Sequence, residues 1–175
     1  MKAAANIGGH PLHAILTDLP ITLWIASFVF DLFYLAQGDL FWYDVAWYLM
    51  AGGLLTALVA ATFGGIDYFR TVPQGSEARS IAWRHGVLNL GVAVMYAFNL
   101  WWRSGQAAAS GGDWWLAFTL SLIGVLALAY TGWLGGELVY RHRIGVLDEP
   151  SRGPAGDAAG NAARDADAAS RGRAG

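Results

Sequence analysis

The chain contains no cysteine. That excludes a disulfide framework, a thiolate-bound zinc or iron–sulfur centre, and thiol catalysis. Charge is also scarce: 14% of the 175 residues are charged, where a soluble domain carries about a quarter. The net charge of −2 leaves no basic surface for nucleic acid. G-x-S-x-G, H-E-x-x-H and phosphate-loop patterns are missing, and no segment reads as a convincing strand. Hydrolase and nucleotide-using chemistry therefore have no motif to stand on. A cleaved signal peptide lacks support too, because Asp18 interrupts the first apolar run and no A-x-A pattern follows Phe33.

Apolar and aromatic residues are abundant instead. Hydrophobic residues make up 55% of the chain and aromatics 14%, with nine tryptophans and a mean hydropathy of +0.38. A membrane helix needs roughly 20 mostly apolar residues. Val45 to Ile66 and Trp114 to Gly136 are uncharged runs of that length, and Gly86 to Trp102 is a shorter one that Ile81 to Arg84 extends. The stretch from His13 to Ala36 is a further span, with Asp18 and Asp31 near its ends, where acids can reach the interface. The expected fold is all-α: a four-helix antiparallel transmembrane bundle with a disordered C-terminal tail. Residues 1–12 form a short N-terminus and 13–147 the membrane domain, with spans at about 13–36, 45–67, 81–102 and 114–140. Residues 148–175 are rich in Ala, Gly, Asp, Arg and Ser, a composition that cannot bury a core.

Lysine and arginine set the orientation. Lys2, Arg70, Arg79, Arg84, Arg141 and Arg143 fall on one side and only Arg103 on the other, so both termini are expected in the cytoplasm of a cell with an inner membrane. Trp42, Tyr43, Trp47, Trp101, Trp102, Trp114 and Trp115 would form the outer aromatic belt, and Tyr68, Phe69, Trp83, Trp133 and Tyr140 the inner one. Small residues recur every four positions on the second span (Gly52, Thr56, Ala60, Gly64, beside Gly53, Ala57, Ala61, Gly65) and return on the fourth (Gly124, Thr131, Gly132, Gly135, Gly136). Such rows let helices approach closely, within one chain or in a homodimer. On the third span, His85, Asn89, Tyr96 and Asn99 share one face, which should turn toward the bundle because polar groups are costly against lipid.

Chemistry-bearing side chains gather at one membrane face. An up-down-up-down bundle brings His10, His13, Asp18, Asp67, His85, Glu137 and His142 to the cytoplasmic interface, and no histidine to the other side. Imidazole and carboxylate are ligands for zinc, manganese or non-haem iron; His13, His85 and His142 are also candidates for axial ligation of a haem b. The same residues could serve structure alone. Glu137 and Arg141 are spaced as a helix ion pair, His10 is placed to cap a helix whose first position is Pro11, and Thr17 or Asp18 can repair the kink at Pro20.

Several of these residues carry a resemblance. Gly9-His10-Pro11-Leu12-His13 with Leu19-Pro20-Ile21, and Gly135-Gly136-Glu137-Leu138-Val139-Tyr140-Arg141-His142, resemble the opening and closing signatures of the bacterial membrane family called domain of unknown function 2231. Gly65-Ile66-Asp67-Tyr68 and His85-Gly86 match its pattern between them. The resemblance runs from about Ile7 to Val146. The family often has His where this chain has Asp18, and Gly where it has Arg143. No activity comes with the family, but some relatives are joined to redox modules, and the bundle looks similar to haem-carrying cytochrome b-type bundles. The resemblance thus implies redox chemistry and a redox partner protein. Two other functions fit the sequence: an assembly subunit without cofactor, and a small transporter, which the position of the acids near span ends disfavours.

Overall fold

The computed structural model describes residues 2–105 and 112–146; the segment 148–175 lies outside them. A two-strand hairpin comes first, β1 (Asn6–Ile7) against β2 (His10–Pro11). Its turn is Gly8-Gly9, both at positive φ (57° and 88°), as a tight hairpin requires. Four helices follow: α1 (Leu12–Gln37), α2 (Leu40–Arg70), α3 (Glu77–Gly105) and α4 (Gly112–Tyr140).

Local chemistry explains the helix ends. Gly38 closes α1 in the left-handed conformation, its N–H bonding Tyr34 O at 2.8 Å. Asp39 caps α2 by accepting from Phe41 N. That two-residue link forces α1 and α2 antiparallel. At the other end, Ser76 accepts from Arg79 N and donates to Pro73 O, starting α3 after the turn at Gly75. Helix α1 begins at Leu12 rather than at Pro11, because Pro11 still belongs to β2. Pro20 sits inside α1 without ending it.

Beside its apolar core, the bundle buries several polar side chains and exposes many large apolar ones. Arg103, Tyr96, Asn99, Asp31, Ser27 and Ser121 are among its fully buried side chains, whereas Leu55, Leu58, Leu90, Leu126 and Trp133 are exposed. An apolar exterior, with the buried polar groups paired inside, suits lipid as the solvent. Helices α1, α2 and α4 are each long and apolar enough to cross a membrane. Helix α3 is equally long but more polar, since it carries Arg79, Arg84, Asn89, Asn99 and Arg103. It packs between α2 and α4.

The two hairpins, α1–α2 and α3–α4, are built alike. His13 and His85, Trp24 and Tyr96, Ser27 and Asn99, and Asp31 and Arg103 are each 72 residues apart. In the first three pairs each side chain bonds the same level of its own hairpin partner, whereas Asp31 and Arg103 bond each other. Trp24 Nε1 donates to Met50 O, and Tyr96 Oη to Ser121 O. Ser27 Oγ donates to Ala46 O, and Asn99 Nδ2 to Ala117 O. The accepting residues are in turn 71 apart. Glycines repeat with them: a Cβ on Gly53 would fall 2.5 Å from the Trp24 indole, and one on Gly124 2.6 Å from the Tyr96 ring. Gly53 and Gly124 are therefore slots for the large side chains of α1 and α3. These large side chains then meet across the bundle axis. Trp24 and Tyr96 stack at 4.4 Å between centroids with planes 7° apart, in a core with Met50, Val92 and Leu128.

Candidate functional site

The histidines repeat the same construction at the end of the bundle that holds both described termini. A carbonyl oxygen can only accept, so an imidazole nitrogen facing one must carry the hydrogen. His13 Nδ1 lies 2.8 Å from Ala60 O, and His85 Nδ1 lies 2.9 Å from Thr131 O. Both rings are thus fixed as Nδ1–H tautomers, each by the neighbouring helix of its own hairpin; the His85 Nε2 lone pair faces Asn89 Nδ2 at 3.3 Å. One turn beyond each acceptor stands a glycine. A Cβ on Gly64 would come 2.8 Å from the His13 ring, and one on Gly135 3.2 Å from His85 Cε1. The two imidazoles meet with centroids 6.3 Å apart and planes at 89°.

The other expected site residues stand elsewhere. His10 is exposed and pairs with Ile7 in the N-terminal hairpin. Asp18 is exposed, and the Thr17 hydroxyl bonds Ala14 O rather than the Leu16 carbonyl that Pro20 leaves without its donor. Asp67 is buried, but its Oδ1 accepts from Ala5 N at 2.9 Å; it ties the N-terminal segment to α2. Glu137 bonds Arg141 at 2.7 Å, with Glu77 also near that guanidinium. The bond to Glu137, with Glu77 adding to it, holds the Arg141 pKa above its ordinary value. His142 Nε2 is buried and has no hydrogen-bond partner among the described residues. Among the described residues, no three His, Asp or Glu side chains form a metal-holding group. Of the seven candidates, two come together: His13 and His85.

The far end holds a cluster that the sequence reading did not anticipate. Arg103 Nη1 and Nη2 each bond a separate Asp31 oxygen at 2.7 Å, both side chains being fully buried. Arg103 Nε donates to Asn99 Oδ1, and Nη2 also to Ser121 Oγ. The Tyr43 ring faces the guanidinium at 5.2 Å. The signal was available as opposite charges on α1 and α3 at the same 72-residue offset, with Asn99 one turn before Arg103 on the same face.

The family model described as predicted membrane protein, DUF2231, matches residues 9–148, and the chain belongs to that family. No curated protein and no solved structure matches it significantly.

Proposed function

We propose that His13 and His85 bind a haem iron between them, and that the protein passes single electrons at the cytoplasmic face of the inner membrane. The observation that carries this reading is the meeting of two imidazoles whose Nδ1–H groups are already spent on backbone carbonyls. Metal-bound histidines are typically oriented in this way, the second nitrogen donating to a fixed acceptor. The ring centroids lie 6.3 Å apart, so His13 and His85 would be the residues to hold a shared ion.

The absence of a third donor among the described residues separates the metal classes. A bare zinc or manganese ion would take only two of its four to six ligands from this chain. A porphyrin brings nitrogen ligands of its own, so His13 and His85 would be the residues of this chain that hold it. Haem supplies a one-electron couple, which the protein tunes through its axial ligands and their hydrogen bonds. The double glycines Gly64-Gly65 and Gly135-Gly136 leave α2 and α4 without side chains at this level. The basic residues Arg70, Arg79, Arg84, Arg141 and Arg143 support a cytoplasmic placement of that end. A soluble redox protein on that side is the partner that fits.

The test is the visible spectrum and iron content of protein purified from haem-supplied cells. Near-stoichiometric haem is expected, lost in His13→Ala and in His85→Ala but kept in His10→Ala and His142→Ala. Haem-free wild-type protein, or full occupancy in both of the first two variants, overturns the assignment. An assembly subunit without cofactor is the second reading. It is favoured by the His85 Nε2 nitrogen, which already lies 3.3 Å from the Asn89 amide.

A further inference from the structure

Three helices carry the same dipeptide at the end that holds the histidines, an aromatic residue followed by arginine. These are Phe69-Arg70 closing α2, Trp83-Arg84 in α3 and Tyr140-Arg141 where α4 ends. The first and third are 71 residues apart, the offset that relates α2 to α4. The rings of Phe69, Trp83 and Tyr140 are 75%, 61% and 88% exposed. Exposed aromatics at the end of a span sit at the headgroup level, which sets the adjoining arginine among the lipid phosphates. The arginines are not equally spent. Arg141 bonds Glu137 at 2.7 Å and lies 3.7 Å from Glu77. Arg70 holds the equivalent position on α2, but Ile66 stands there where α4 has Glu137. Among the described residues, neither Arg70 nor Arg84 has a carboxylate within ion-pair distance. Arg84 Nη2 donates only to the neutral Ser80 hydroxyl, at 3.2 Å, and both arginines are exposed. Arg79 is spent differently, on Tyr68 O, Val72 O and the Tyr68 ring. The opposite rim is reversed in charge. Among the described residues its one arginine, Arg103, is buried against Asp31, while Asp39 and Asp44 are exposed.

We propose that Arg70 and Arg84 bind the phosphates of anionic phospholipids, of the phosphatidylglycerol class, in the leaflet at this end of the bundle, with Phe69 and Trp83 seated at the boundary between headgroups and acyl chains. The inference needs no cofactor and stands apart from the haem reading. A guanidinium offers a planar fork of donors that matches two phosphate oxygens at once. Charge decides between lipids. The headgroup of phosphatidylcholine carries its own cation against the phosphate, whereas that of phosphatidylglycerol leaves the phosphate for the protein to answer. An arginine near an anionic membrane surface is worth about fivefold in binding. Arg141 contributes less than Arg70, because Glu137 and Glu77 already answer its charge.

The experiment is native mass spectrometry of the detergent-solubilised full chain, incubated with equal amounts of phosphatidylglycerol and phosphatidylcholine of identical acyl chains. The wild type is expected to retain phosphatidylglycerol in preference. Arg70→Gln and Arg84→Gln should each lower that preference about fivefold, and Arg141→Gln should lower it less. Arg70→Lys and Arg84→Lys, which keep the charge, should hold most of it, and Glu137→Gln should raise it by freeing Arg141. Phe69→Ala with Trp83→Ala should reduce retention of both lipids alike. Circular dichroism checks that the helices are intact in each variant. Equal retention of the two lipids by the wild type overturns the inference. So does an unchanged preference in the double variant Arg70→Gln, Arg84→Gln. Glycerol phosphate that competes as well as phosphatidylglycerol overturns it too, because the ligand is then a free phosphate. None of these outcomes bears on whether the protein carries haem.

Discussion

The bundle axis ends in two pairs of side chains at equivalent positions of the two hairpins. One end sets like against like, His13 against His85; the other sets opposites together, Asp31 against Arg103. Opposite charges satisfy one another. The far pair is bidentate, fully buried, and completed by Asn99 and Ser121, so it asks for no third party. Two identical imidazoles do not satisfy one another. Each has a carbonyl for its hydrogen and no donor on the other ring for its Nε2 electron pair, which at His85 faces Asn89 instead. In the function proposed above, a bound ion would complete the pair. Two hairpins of like build thus close the bundle where their equivalent residues are complements and leave an open pair where those residues are the same.

The largest effect is expected from breaking the complementary pair. Asp31→Leu leaves the Arg103 guanidinium buried and uncompensated, which costs about 3–5 kcal/mol when one partner of a buried pair is removed. Urea titration of the detergent-purified protein should show that loss. Because positions 31 and 103 are equivalent, the exchange Asp31→Arg with Arg103→Asp should recover much of it. Recovery should be incomplete, since Asn99 is matched by Ser27 and Ser121 by Met50 in the other half. A single Asp31→Leu as stable as wild type would remove the closing role from this end.

A middle-sized effect should follow from filling the slots between the two ends. Gly53→Ala and Gly124→Ala would press a methyl group against Trp24 and Tyr96 at 2.5 and 2.6 Å, an overpacking worth about 1–3 kcal/mol. Gly65→Ala and Gly132→Ala face open space and should change stability little in the same titration. Equal effects at all four positions would mean that the glycines serve helix flexibility rather than the stacked axis.

The helices were legible because uncharged runs of membrane length have few other uses, and the inward polar face of α3 because period and polarity agree. The meeting of His13 and His85 was legible only in part. Membrane depth can be counted from sequence, but the angle around the bundle cannot. Seven residues share the depth, yet His10 stays in the hairpin before α1, Asp67 turns to the Ala5 amide, and Glu137 turns to Arg141. Asp31 read as an interfacial acid and Arg103 as a lone outer charge, because each was judged alone. The constant offset between the hairpins would have paired them, and it would equally have singled out His13 and His85 from the other histidines. Sequence identity across the offset is low, and function survives in it as contact type: Trp24 matches Tyr96, and Ser27 matches Asn99, each pair making the same kind of bond to the same level of backbone.

The smallest effect tests whether the like pair stands alone at its end. Asp67 reaches the depth of the histidines, but its carboxylate accepts from Ala5 N and lies 3.5 Å from the Thr71 hydroxyl, which in turn accepts from Ala4 N. Its work is to fasten the segment before α1. Asp67→Ala should orphan one buried amide, at about 1 kcal/mol, and raise hydrogen exchange at Ala5 about five- to tenfold. His13 is anchored independently through Ala60 O, so the haem spectrum should be unchanged. Loss of haem in Asp67→Ala with the helices intact would put a carboxylate into the ligand set. The contrast between the two ends would then weaken, because an acid would be completing the histidines in the way that Asp31 completes Arg103.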